Sequence, residues 1–206
     1  SYTAANRVYQ NGDYARALTL MDNYLRQYPK GSFRIEALYA LGDCSLREGN
    51  RAGALAAFEE VGSMPMSEYK VPALQQAAKM QVEDKHYPQA AALYKTLSTV
   101  AIKSADIASA LGGYLSAVIA TGNVAEMGRA ADEVLASPYV TADLTREANF
   151  AKARALQADG HDDEALKLYR QVAGERTREG AESRYRIVSI LYKQGKLKEA
   201  EAEVFA

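Results

Sequence analysis

The chain has 206 residues, with 25 Lys and Arg against 26 Asp and Glu and a hydrophobic share of 48%. That balance leaves no net field to attract nucleic acid or an anionic membrane, and the apolar share fits a buried core and not disorder. One Cys, two His and no Trp exclude a disulfide framework, an ordinary zinc site of four Cys or His ligands, and a Trp-based binding site. No apolar run approaches the roughly 20 residues of a transmembrane helix. Alanine is the most frequent residue, and proline occurs only five times. With the β-branched runs of strands also missing, an all-α protein of closely packed helices is expected.

An internal period organises the chain. Anchor positions 17, 54, 90, 127, 165 and 200 are Ala in five cases and Met127 in the fourth, and they recur at nearly even intervals. They divide the sequence into six helix-turn-helix units, approximately 1–31, 32–66, 67–102, 103–139, 140–176 and 177–206. Gly stands five residues before the anchor in all units but the third, where Lys85 takes the place. Gly suits a helix end because its left-handed conformation carries no Cβ penalty.

In the first unit Tyr2 to Gln10 reads as a first helix, Gly12 and Asp13 as the turn, and Leu18, Met21 and Tyr24 as the apolar stripe of the second helix. The second runs through Leu38, Leu41 and Gly42 to Gly49 and Asn50, then Leu55, Phe58 and Val61. The third repeats the stripe as Ala91, Tyr94 and Leu97. The fourth is the weakest: Gly128 follows Met127, and Gly112-Gly113 inside its first helix predicts a local bend, a candidate hinge. Leu166, Tyr169 and Val172 mark the fifth, and Ile187, Ile190 and Leu191 precede Gly195 in the sixth. Asp13, Asn50, Asn123 and Asp162 lie in the turns, where their side chains are expected to cap the second helices.

Residues able to do chemistry find structural readings. His86 and His161 stand in turns beside acidic residues, an arrangement that helix capping and the helix dipole explain without a metal. Cys44 reads as a buried structural thiol, with no His placed to activate it. Glu59-Glu60, Asp132-Glu133 and Asp162-Asp163 are adjacent on helices, so they do not face each other and read as solvated surface. Gly112-Gly113 lacks the Lys-Ser or Lys-Thr of a phosphate loop. Arg176, Arg178, Arg184 and Arg186 are interrupted by Glu175, Glu179 and Glu182, which argues against a nucleic-acid site.

The stretches before Gly49 and Gly195, with Gly42 and Ala54 at two small crossing positions and Pro29 after the first second helix, resemble the tetratricopeptide repeat. The segment from Leu191 to Ala200 is similar to that family's consensus turn. The resemblance implies a right-handed α-α superhelix, a single solenoid over 1–206. With Val204 and Phe205 followed by no polar capping helix, it is read as part of a longer array. It further implies a concave groove lined by first helices and holding an extended or helical peptide.

Carried over unit by unit, the groove positions are Tyr2, Asn6 and Tyr9, then Tyr39, Asp43 and Arg47, then Gln75, Lys79 and Glu83. The fourth unit offers Ser116, the fifth Phe150, Arg154 and Gln157, and the sixth Tyr185, Ser189, Tyr192 and Lys193. Tyr2, Tyr39, Phe150 and Tyr185 share one repeat position, open to two readings: ligand anchors, or packing between repeats. Tyr39 and Asp43 stand where chaperone-tail-binding members carry Lys and Asn, so that activity is not implied.

The expected function is a non-enzymatic scaffold for a protein or peptide, without cofactor, metal, nucleic acid or membrane insertion, its oligomeric state left open. The alternative is a regulatory or substrate-presenting region of a larger enzyme or assembly machine. Tyr28-Pro29-Lys30-Gly31-Ser32 with Glu36 to Asp43 is similar to repeat junctions of bacterial envelope proteins, among them the periplasmic repeat protein of the Tol-Pal system and lipoproteins of outer-membrane assembly. It points to the periplasm or cell envelope, with the cytoplasm as alternative.

Overall fold

A computed structural model of the protein describes residues 1–205. Among them are twelve α-helices and no strand. They are α1 (Tyr2–Gln10), α2 (Tyr14–Gln27), α3 (Arg34–Arg47), α4 (Arg51–Ser63), α5 (Lys70–Glu83) and α6 (Tyr87–Val100), followed by α7 (Ser104–Thr121), α8 (Val124–Leu135), α9 (Ala142–Ala158), α10 (Asp162–Val172), α11 (Arg178–Lys193) and α12 (Leu197–Val204). The chain divides into two compact units, Ser1–Ala101 and Ile102–Ala206, of three helical hairpins each.

The hairpin turns share one backbone device. Gly12, Gly49, Gly122, Gly160 and Gly195 have φ between 75° and 84°, and Lys85 takes the same left-handed turn with φ 60°. At Gly49 the hydrogen bonds from Asn50 N to Ser45 O (2.8 Å) and from Gly49 N to Leu46 O (3.2 Å) close the end of α3. His86, His161 and Lys196 donate across the same interval, to Gln81, Leu156 and Leu191. The fourth hairpin departs: Asn123 N donates instead to Thr121 Oγ1.

Asp13, Asn50 and Asn123 accept from Arg16, Gly53 and Glu126 backbone nitrogens, as expected of caps. Asp162 does not cap. The residue directly after the turn glycine takes the N-cap position, and in this hairpin that residue is His161, which leaves Asp162 inside the first turn of α10. Helix α7 runs unbroken through Gly112-Gly113, so the expected bend is not found as a break. A Cβ at Gly112 would lie 3.3 Å from Leu144 Cδ2, and absence of that atom lets α9 come close.

Core formation follows the anchors. In the first unit Ala17, Ala54 and Ala90 are fully buried with Met21, Phe58 and Val61. Gly42 lets Phe58 sit against the α3 backbone, where a Cβ would lie 2.8 Å from Phe58 Cε1. Burying a ring such as Phe58 contributes about 2–3 kcal/mol. The second unit buries Met127, Ala165, Phe150, Tyr169, Ile187, Ile190 and Leu191.

Candidate functional site

In the first unit, three residues expected to line one surface meet. Tyr9 on α1 donates its hydroxyl to Asp43 Oδ2 on α3 at 2.9 Å, and Arg47 Nε donates to the same oxygen at 2.9 Å. The guanidinium lies 4.5 Å from the Tyr14 ring centroid, close enough for cation–π attraction, and the Tyr9 and Tyr14 rings meet edge to face. Burial and the bond to Asp43 push the Tyr9 phenol up, while hydrogen bonding to Asp43 raises the Arg47 guanidinium. Asp43 and Arg47 are thus a paired charge on a first-helix face, with the Arg47 side chain 51% exposed. Beside them Cys44 is buried, and burial pushes its thiol up to about 11, which suits a structural thiol and not a nucleophile.

The tyrosines one repeat apart are committed to packing. Tyr2 stacks on Phe33 with ring centroids 4.5 Å apart, and Tyr39 lies 5.1 Å from Tyr69 and 5.6 Å from Phe58. Asn6 is half-buried on α1. Gln75 and Lys79 are exposed on α5, and Lys79 stands 3.9 Å from Glu83. Tyr2, Tyr24, Tyr28 and Phe33 line an open pocket of about 360 Å³.

In the second unit Arg154 and Gln157 on α9 enter a polar network. Arg154 Nη1 lies 3.2 Å from Glu182 Oε1, and Arg186 donates to that oxygen through Nε and Nη2 at 2.9 and 2.7 Å. Gln157 Oε1 accepts from Arg186 and from the buried Tyr169 hydroxyl, whose phenol burial pushes up to about 12. Phe150 is 1% exposed and packs edge-on against Tyr169. It belongs to the core and offers no groove surface, because its helix turns that position toward α10. On α11 the opposite holds: Tyr185 and Tyr192 are 72% and 70% exposed, Ser189 between them is exposed, and Lys193 pairs with Asp162 at 3.0 Å.

A cavity of about 250 Å³ in this unit is lined by Asp143, Arg146, Glu147, Val172, Glu175, Thr177 and Glu179. Burial raises the Glu147 carboxyl, the Glu179 charge adds to this, and the hydrogen bond from Ser116 Oγ at 2.6 Å opposes it. Ser116, the fourth unit's groove residue, is thereby tied to α9.

Among the described residues no three His, Cys, Asp or Glu side chains are grouped to hold a metal ion, and no helix is long and apolar enough to cross a membrane. Glu59 and Glu60 are not simply solvated: Gln81 donates to Glu59 at 2.7 Å and Arg34 pairs with Glu60. Partners that sequence reasoning missed include Tyr14, Glu182 and the aromatic pair Phe33 and Tyr69. The last two had a signal, because each follows its tyrosine, Tyr2 or Tyr39, at nearly the same interval.

Stacked helical hairpins with alanine at five of the six crossings and Met127 at the other define a repeat protein whose first helices expose polar and aromatic side chains. The family profile described as tetratricopeptide repeat matches residues 2–63 and 150–206, and the chain belongs to that family. Repeats of this family are in general protein–protein interaction scaffolds and are typically not enzymes. Curated protein sequences give no match. Among solved structures the chain is similar to a tetratricopeptide repeat protein from Parabacteroides merdae ATCC 43184, at 18% identity and TM-score 0.49 over 98% of this chain and 75% of that one. It is also similar to nearly identical TPR-like repeats from Podosopora anserina, at 18% identity and TM-score 0.46 over 82% and 90%. A thermophilic TPR protein of Thermus thermophilus follows at 20% identity and TM-score 0.37 over 92% and 96%.

Proposed function

We propose that this protein is a non-enzymatic scaffold that holds a peptide or protein segment against its first-helix faces. The observation that carries the reading is Tyr192: an aromatic ring 70% exposed, with no ring partner among the described residues, one turn from the exposed Ser189 on the same helix face. Exposed aromatic anchors beside polar groups are the usual centres of binding energy. In the first unit the Asp43–Arg47 pair with Gln75 and Lys79 supplies polar contacts on the corresponding faces.

Selection of a random displayed-peptide library on the protein tests it. Peptides are expected whose binding weakens about tenfold or more in Tyr192→Ala, a substitution at an exposed position. Peptides that compete with one another but ignore Tyr192, Arg47 and Lys79 together would place recognition elsewhere.

The envelope location is part of the same proposal, supported by the junction Tyr28 to Ser32 and its likeness to envelope repeat proteins. Fractionation of the native cells with an antibody to the protein checks it, and recovery in the cytosol alone overturns it.

A further inference from the structure

We infer that Glu36 and the aromatic rings beside it on α3 form a binding site for the guanidinium group of an arginine side chain presented by a partner protein. The inference rests on the scaffold reading for the source of that side chain and adds the chemistry that the first unit recognises.

The second unit shows what a carboxylate at this repeat position takes. Glu36, Glu147 and Glu182 each stand eighteen residues before an anchor, Ala54, Ala165 and Ala200. In the second unit the partner comes from the preceding first helix, eleven residues before that helix's own anchor: Ser116 Oγ donates to Glu147 at 2.6 Å, and Arg154 Nη1 lies 3.2 Å from Glu182. Arg186, one turn beyond Glu182 on α11, brings a second guanidinium to the same oxygen. In the first unit the residues at those two positions are Asn6 and Ala40, neither of which carries a charge. Glu36 is half-buried and makes no hydrogen bond or ion pair among the described residues. The cations next to Phe33 and Tyr69 in sequence are committed elsewhere, Arg34 to Glu60 and Lys70 to the Met64 carbonyl. A partly desolvated carboxylate without a partner is costly, and a cation from outside relieves that cost.

The rings narrow the choice of cation. Phe33 and Tyr39 stand three residues before and after Glu36, the spacing that shares one helix face. Tyr2 stacks on Phe33 at 4.5 Å with an interplanar angle of 8°, and Tyr69 lies 5.1 Å from Tyr39. Each ring is held by another, so the walls beside the carboxylate are set before a ligand arrives. Burial raises the Tyr2 and Tyr69 phenols and the Glu36 charge adds to both, which puts the carboxylate within electrostatic reach of each. A carboxylate between tyrosine rings favours a flat cation: a guanidinium donates two parallel hydrogen bonds to the carboxylate while its plane lies against an aromatic face. A lysine ammonium supplies the charge without the plane.

The test is a titration of the isotopically labelled protein with N-acetyl-arginine amide, followed by NMR at the backbone amides. Saturable shifts are expected at Glu36, Tyr39 and Tyr69. N-acetyl-citrulline amide, which keeps the shape without the charge, should bind about tenfold more weakly. Glu36→Gln should weaken the arginine probe about tenfold while the remaining resonances keep their positions. Asn6→Arg sets an arginine where the second unit carries Arg154, and should occupy Glu36 from within and abolish the shifts. Citrulline amide binding as tightly as arginine amide overturns the inference, as does undiminished binding in Glu36→Gln or in Asn6→Arg. N-acetyl-lysine amide binding equally well would leave a bare carboxylate and overturn the guanidinium assignment. Peptides of the scaffold reading are scored at Tyr192 and these shifts at Glu36, so either can fail while the other stands.

Discussion

The hydroxyl of Tyr9 donates to Asp43 Oδ2 at 2.9 Å, tying the first helices of two successive hairpins together at a point where Arg47 already holds the carboxylate. Tyr9→Phe keeps the ring against Tyr14 and removes only that bond. It is expected to destabilise the protein by about 1 kcal/mol, the net worth of one hydrogen bond. For a chain of this size the melting midpoint would fall by about 2–4 °C, and an unchanged calorimetric trace would show the bond to be without weight.

Lys85 occupies the left-handed turn that glycine takes in every other hairpin. A side chain in that region costs roughly 1–2 kcal/mol, of which glycine's larger unfolded-state entropy returns part. Lys85→Gly should therefore stabilise by about 0.5–1 kcal/mol, measured by urea unfolding. Gly160→Ala, at φ 84°, should move the midpoint the other way.

Crossing points should tolerate no added volume. Ala54 is fully buried, and Ala54→Leu should cost about 1–3 kcal/mol by overpacking. Gly42→Ala sets a methyl into the Phe58 ring, so it should destabilise although alanine is the better helix former. A Gly42→Ala protein at least as stable as the parent would mean that Phe58 has room to move.

Stability should decline in alkali in two steps. The folded chain holds the Cys44 thiol proton up to about 11 and the Tyr169 phenol proton up to about 12, both by burial. The unfolded chain releases them from about pH 8.5 and pH 10. Their contribution is complete below those values and is lost as pH rises through the folded pKa of each. Urea midpoints of Cys44→Ala, followed from neutral pH upward, should stay level where those of the parent first decline. Parallel profiles would assign the loss to other groups.

Much of the architecture could be read before any coordinates, because a helix end needs a left-handed residue and a helix crossing needs a small one, and both needs are met by residue type at fixed spacing. Gly49 and Ala54 show both. The period placed the third turn at Lys85, but residue type alone did not disclose that a lysine takes the left-handed φ there. Asp162 looked like a cap because composition marks a turn but not which of its residues begins the helix. The groove positions were less legible: Tyr2, Phe150 and Tyr185 share one repeat position, yet stack on a neighbour, enter the core and face solvent respectively.

What the amino-acid sequence determined by itself is the local and periodic part: the twelve helices of the described residues, their turns, and the family, each set by backbone preference and the helical stripe of apolar residues. Tertiary structure decided how charge and aromatic surface are used. The Tyr9–Asp43–Arg47 cluster, the two arginines on Glu182 and the exposure of Tyr185 depend on which helices, distant along the chain, come together in space. Side-chain partnership and burial are set by distance in space, and a repeat pattern encodes equivalence of position without encoding equivalence of neighbours.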